Sequence, residues 1–339
     1  MISQSYRLFA PKSFRIDLIE EKLKDNDVIV RPTYLSICAA DLRYFSGNRS
    51  AEVLKKKLPM ALIHEAVGEV IYDPKGELKR GTKVVMIPNS PHEYDDVIKE
   101  NYRRSSKFKS SGIDGFMRSI VSIDRDRIIP YTKIEDKVAA LLELMSVSMN
   151  ALEHFTAYSH NRKQTIGIWG CGNVGFCTAL ILKYTFPNAK IVVFGTRQHK
   201  LDYFPFADET YTVDAIPEDL MVDHAFECVG GTKAEDAINQ IIDHINPQGS
   251  ISLMGVSENN VGINTRMVLE KGLTLLGNSR SGYEDFAASI EFLERFPKAK
   301  EYLNTIISEV RNINEFNDIV PAFEAGMQNE FKTVMKWNL

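Results

Sequence analysis

Cysteine is scarce in this chain: four residues in 339, at positions 38, 171, 177 and 228. That number cannot build a disulfide framework and fits a reducing, cytoplasmic setting. Long apolar runs are also missing. No stretch approaches the roughly 18 residues that a membrane span needs, so no membrane partner is expected. The opening Met1-Ile2-Ser3-Gln4-Ser5-Tyr6 has no charged region leading into an apolar core, so no signal peptide is expected. Neither sign of charge is in excess: 41 Lys and Arg stand against 45 Asp and Glu, a net charge of −4. A chain of pI about 6.0 has no basic surplus with which to track the phosphates of a nucleic acid. Internal repeats and low-complexity segments are absent too. What remains is an ordinary globular composition, 44% hydrophobic and 25% charged, long enough for two domains.

The chain changes character near residue 138. Before it lie short strand-like runs, Asp27–Arg31, Gly68–Tyr72 and Lys83–Ile87, separated by turn sequences. They predict a barrel-like β domain. Residues 89–113 are polar and read as a long loop or small lobe. Val138 to Tyr158 has helical spacing and predicts one long helix or two. Strands and helices then alternate: strands at 165–169, 190–194, 224–228, 250–254 and 273–277, helices at 174–184 and 232–242. Repeated βαβ units imply a doubly wound parallel sheet. Helices are expected at 283–296 and 315–327, and a last strand, Lys332–Trp337, could pair with the N-terminal domain. The division expected is residues 1–150 completed by about 285–339, and 151–284.

Gly170-Cys171-Gly172-Asn173-Val174-Gly175 follows a strand and opens a helix. In that context glycines permit a tight turn and close backbone approach, and the helix start offers N–H groups to a pyrophosphate. The next strand does not end in the acid that usually accepts from the ribose of NAD. It runs into Gly195-Thr196-Arg197-Gln198-His199-Lys200. Thr196 can hydrogen-bond, and Arg197 and Lys200 can pair with a 2′-phosphate, so NADP is preferred over NAD.

Cys38, in Ser36-Ile37-Cys38-Ala39-Ala40-Asp41, and His64-Glu65 supply a thiol, an imidazole and a carboxylate. A catalytic zinc that keeps one position open uses such donors. Glu143 is an isolated acid in the apolar stretch Leu141–Val147. A buried carboxylate there is costly unless it is paired or metal-bound; the alternative is a partly exposed helix residue. A lone histidine is likewise more often a core residue than a ligand.

The order and spacing of Cys38…Asp41, His64-Glu65…Gly68, Gly170…Gly175, Glu227-Cys228-Val229-Gly230 and Leu253-Met254-Gly255 resembles the medium-chain, zinc-dependent alcohol and polyol dehydrogenases along essentially the whole chain. Glu143-Leu144-Met145-Ser146-Val147 resembles the stretch in which sorbitol-type members carry a Glu at the metal. Closer still is the resemblance to the ribulose-5-phosphate reductases (ribitol-5-phosphate dehydrogenases) of CDP-ribitol and teichoic acid synthesis. It rests on Ser36–Asp41, Ser110-Ser111-Gly112-Ile113-Asp114-Gly115-Phe116-Met117, His224–Gly231 and Gly277-Asn278-Ser279-Arg280-Ser281-Gly282.

The resemblance implies a GroES-like β-barrel catalytic domain joined to a Rossmann domain. It implies zinc on Cys38, His64 and Glu65 or Glu143, and cofactor contacts that include Cys228, Val229 and Gly255. The implied reaction is NADPH-dependent reduction of D-ribulose 5-phosphate to D-ribitol 5-phosphate in a homodimer, with functional coupling to a ribitol-5-phosphate cytidylyltransferase. Three departures stand out. Residues 89–113 hold no cysteine, so no structural zinc is expected. Ala40 replaces the usual Ser or Thr of the proton relay, leaving Tyr44 or zinc-bound water. Ile63 replaces the usual Gly before His64. For the substrate phosphate, Arg43 and Arg280 are the first candidates, ahead of Lys332 and the Arg103, Arg104, Lys107, Lys109 group. The competing readings are an NAD-dependent dehydrogenase of an unphosphorylated polyol and a non-catalytic NADPH-binding protein of the same fold.

Overall fold

The computed structural model describes residues 1–339 and divides them into two compact units. One comprises Met1–Glu143 with Ser281–Leu339, the other Leu144–Arg280.

The first unit is built from β-sheets. Its larger sheet runs Ile128–Pro130, Lys83–Met86, Glu65–Tyr72, Asp27–Ser36, Lys332–Trp337, Ile307–Ile313, with Val121–Asp124 also paired to Asp27–Ser36. A smaller sheet orders Ser13–Glu20, Ile2–Ala10 and Met60–Ala61. The long central strand explains the arrangement. Val28, Ile29 and Val30 are buried, so the strand needs neighbours on both edges. Its C-terminal half takes Glu65–Tyr72 on one side and the last strand of the chain on the other, both antiparallel. The terminal strand therefore does pair with the N-terminal region. Aromatic side chains fill the interior, with the Phe14, Phe45 and Phe323 rings 4.9–6.1 Å apart. Tyr6 packs edge-on to Trp337 at 5.1 Å.

Several elements of this unit go beyond the sequence expectation. Cys38 sits immediately before a short helix, Ala39–Phe45, and a second helix spans Ala51–Lys57. The expected loop at 89–113 contains a small hairpin, Asn89–Ser90 with Lys107–Phe108. Arg103 gathers this lobe. Its guanidinium donates to the carbonyls of Glu93 at 2.6 Å, Asp95 at 2.8 Å and Ile98 at 2.9 Å. Arg103 is thus a structural cation. The helix expected at 315–327 resolves into a short 3-10 turn and Ile319–Gln328.

The second unit has six parallel strands in the order Glu209–Thr212, Lys190–Gly195, Thr165–Trp169, Val222–Glu227, Ile245–Leu253, Thr274–Gly277. In chain order this is 3-2-1-4-5-6, the doubly wound dinucleotide-binding topology. The order reverses between Thr165–Trp169 and Val222–Glu227, which places the ligand crevice beyond their C-terminal ends. The helix expected at 232–242 begins as a 3-10 turn at Gly231–Lys233 and continues as Ala234–His244.

Candidate active site

Asp41 organises the first site. It lies in the first turn of the Ala39–Phe45 helix and is fully buried. Its carboxylate accepts from the Cys38 N–H at 3.2 Å, the Ile63 N–H at 3.0 Å and the Ser110 hydroxyl at 2.7 Å. His64 Nδ1 lies 3.8 Å from it. One carboxylate thus ties together three segments that are remote in sequence, and its charge faces the His64 ring. Ile63 has φ +70°, in the region that β-branched residues avoid. A glycine at this position would adopt the turn without that strain. The local cost is about 1–3 kcal/mol, and the Asp41 bond helps to hold the geometry.

The donor atoms of Cys38, His64 and Glu65 lie within 4.8 Å of one another. Glu65 opens the strand Glu65–Tyr72 and is buried, with both carboxylate oxygens accepting from the Lys332 ammonium at 2.5 and 2.6 Å. Lys332 opens the terminal strand, is 2% exposed, and also donates to the Ile37 carbonyl at 3.3 Å. Glu143, in the first turn of Leu142–Tyr158, is buried and outside the 4.8 Å triad, but it acts on His64 and Lys332 through charge.

The electrostatics follow. Burial pushes the Glu143 carboxyl up to about 7; His64 and Lys332 oppose the shift, and Glu65 and Asp41 add to it. Burial also pulls His64 down, but Asp41, Cys38 and Glu143 outweigh it and hold the imidazole well above its ordinary value. Lys332 behaves the same way: desolvation is overcome by Glu65, Cys38 and Glu143. Such a pocket of anionic donors holding protons is what a divalent cation would displace. A sulfur, an imidazole nitrogen and a carboxylate oxygen suit zinc better than a hard cation.

In the second unit, a cavity of about 380 Å³ opens at the sheet's switch point. Gly170, Gly172, Thr196, Arg197, Lys200, Cys228 and Val229 are among the residues lining it. Gly170 has φ +120°, and a Cβ at Gly175 would run into the Gly170 carbonyl, so this turn admits only glycine at both points. A Cβ at Gly172 would meet no protein atom within 4 Å. Asn173, Val174 and Gly175 begin the helix Asn173–Thr185 beside that turn. Gly255 is not on this lining; its N–H donates to Glu227 at 3.0 Å. The sequence did not single out Glu227 for a role, yet its buried carboxylate also accepts from the N–H groups of Val229 and Gly230, both at 2.8 Å. It shapes the rim that carries Cys228 and Val229. Arg280, at φ +60°, is partly buried, which depresses its pKa.

Two of the functional residues named here gave no clear signal in the sequence. Asp41 could be read only as part of a motif, and Lys332 only as a weak phosphate candidate. The structure instead puts Lys332 on Glu65.

The comparisons with known proteins agree with this geometry. Residues 24–133 match the alcohol dehydrogenase GroES-like domain, and residues 136–337 match the glucose dehydrogenase C-terminus. The chain belongs to the medium-chain dehydrogenase/reductase family of oxidoreductases, with a GroES-like domain and a Rossmann-type domain. Among its relatives, the ribulose-5-phosphate reductase of Bacillus spizizenii is 47% identical over 100% of both chains. Ribulose-5-phosphate reductase 2 of Staphylococcus aureus is 49% identical, again over 100% of both. The crystal structure of S. aureus TarJ in complex with NADPH superposes with a TM-score of 0.90 at 44% identity, covering 100% of each chain.

Proposed function

We propose that this protein reduces D-ribulose 5-phosphate to D-ribitol 5-phosphate with NADPH, at one zinc ion. The convergence of Cys38, His64 and Glu65, with Glu143 beside them, carries the catalytic part of this reading. The substrate follows from full-length similarity to the ribulose-5-phosphate reductases. In this reading the unit containing Cys38 is catalytic, and Leu144–Arg280 binds the cofactor. Zinc, when bound, supplies a Lewis acid that polarises the ketone, and NADPH supplies the hydride. Cys38 and His64 are the primary ligands, and Glu65 and Glu143 are the carboxylates that complete the set. Asp41 faces His64 with its charge, and Lys332 balances the charge of Glu65.

Proton delivery falls to a hydroxyl other than the one missing at Ala40. Tyr44 carries one on the same helix, three residues after Asp41, and we assign the proton step to it. Tyr44→Phe is then expected to lower kcat by about 10²-fold with little change in the Michaelis constant for NADPH. An unchanged kcat removes Tyr44 from the mechanism.

Arg197 and Lys200 line the cavity where a 2′-phosphate would rest, and the NADPH-bound TarJ structure supports the same cofactor. Charge-assisted hydrogen bonds of this kind contribute about 1.5–3 kcal/mol each. Arg197→Ala is therefore expected to raise the Michaelis constant for NADPH by about 10-fold or more, while that for NADH moves little. Equal effects on both cofactors would refute the assignment.

We infer a homodimer joined through the edge strand Thr274–Gly277, which pairs on one side only, with Ile245–Leu253. Light scattering should give twice the chain mass; a monomer contradicts it. No helix is long and apolar enough to cross a membrane. A cytoplasmic enzyme whose product goes to a ribitol-5-phosphate cytidylyltransferase is the setting we propose, checked by reconstituting CDP-ribitol formation with both enzymes.

A further inference from the structure

The reactive ketone and the phosphate stand at opposite ends of the proposed substrate, so a cation is needed a short way beyond the zinc donors. The structure holds two in one cluster. The helix that begins after Cys38 carries Asp41 and, one turn on, the buried Tyr44. Arg49 lies over the Tyr44 ring at 5.1 Å and the Lys57 ammonium at 5.9 Å. Lys57 ends the helix Ala51–Lys57 and donates to the Ser111 hydroxyl at 3.1 Å. Its neighbour Ser110 donates to Asp41, and Phe108, two residues earlier, packs on the His64 ring at 5.3 Å. One short segment, 108–111, thus touches His64, Asp41 and Lys57 in turn.

Charge makes the cluster unusual. Lys57 meets a hydroxyl and a ring face but forms no ion pair in the protein, although it is half-buried. The Asp41 carboxylate, bonded to the same segment, is committed to its three hydrogen bonds. A partly desolvated ammonium with only neutral partners attracts an external anion. Arg43, the first candidate from the sequence, lies on the same helix.

We propose that Lys57 and Arg49, with the Ser111 hydroxyl, form the subsite for the phosphate monoester of the substrate, and so set the preference for a phosphorylated ketose. This inference rests on the reading of the protein as a ketose-phosphate reductase.

The test uses the zinc-loaded enzyme with NADPH and compares D-ribulose 5-phosphate with D-ribulose. Lys57→Met keeps the aliphatic stem over Tyr44 while removing the charge. It and Arg49→Met are each expected to lower the ratio of kcat/KM values, phosphorylated over unphosphorylated, by about 10-fold or more, mostly through KM. Lys57→Arg should restore most of the preference. A ratio within about twofold of wild type in both methionine variants overturns the proposal, as does a loss seen in Arg43→Met but in neither of them. A wild-type enzyme with no preference for the phosphate ester sinks the substrate reading instead. In that case inorganic phosphate still reads the subsite. Its affinity, measured by calorimetry, falls in Lys57→Met if the subsite exists and is unchanged if it does not.

Discussion

Lys332→Met is expected to destabilise the protein by about 3–5 kcal/mol, because it strands the Glu65 carboxylate in a dry interior. Lys332 is 2% exposed and Glu65 is fully buried, so water cannot replace the lost ammonium. Both Glu65 oxygens depend on it, at 2.5 and 2.6 Å. Urea unfolding of the metal-free protein gives the number. The double variant Lys332→Met with Glu65→Leu should recover most of the loss, since replacing a buried ion pair by apolar groups is often near neutral. A single variant as stable as wild type would mean that Glu65 finds another partner or takes up a proton at little cost. The same substitution changes the surroundings of a proposed zinc carboxylate, so zinc content should be measured alongside stability.

Cys38→Ala is expected to lower kcat/KM for ribulose 5-phosphate by about 10³-fold or more, the several kcal/mol that a Lewis acid contributes to a developing alkoxide. It should also lower zinc content well below one ion per chain, which elemental analysis reads independently of activity. Circular dichroism should remain that of the wild type, because Cys38 is only partly buried and anchors its helix through backbone groups. A variant that keeps both its zinc and its activity would remove Cys38 from the ligand set.

The two halves of the fold were unequally legible. The Rossmann unit announces itself because its strands are apolar runs buried on both faces, such as Ile191–Phe194, each closed by a glycine or turn. The strands Ile2–Ala10 and Ser13–Glu20 escaped notice because they mix exposed and buried positions with polar residues such as Ser3, Gln4, Arg15 and Asp17. Ile307–Ile313 hides similarly, with alternate residues exposed. The helices Ala39–Phe45 and Ala51–Lys57 are too short for a helical period to show.

In the site, residue chemistry was legible and partnership was not. A thiol, an imidazole and an isolated acid stand out as types. That Lys332 meets Glu65, 267 residues away, depends on three strands lying side by side, which no local pattern encodes. The Ser110–Asp41 bond is of the same kind. Ile63 shows the reverse. Its departure from glycine is plain in the sequence, but only the backbone shows that it keeps the left-handed turn nonetheless.

The central claim is a zinc site and an NADPH site acting together on a phosphorylated ketose. Its most direct test follows NADPH oxidation with D-ribulose 5-phosphate on the purified protein, before chelation, after chelation, and after zinc is restored. The expected result is turnover that the chelator abolishes and zinc brings back, with NADH a poor substitute. Turnover that survives complete removal of the metal, or none with this substrate in the zinc-loaded protein, would contradict it.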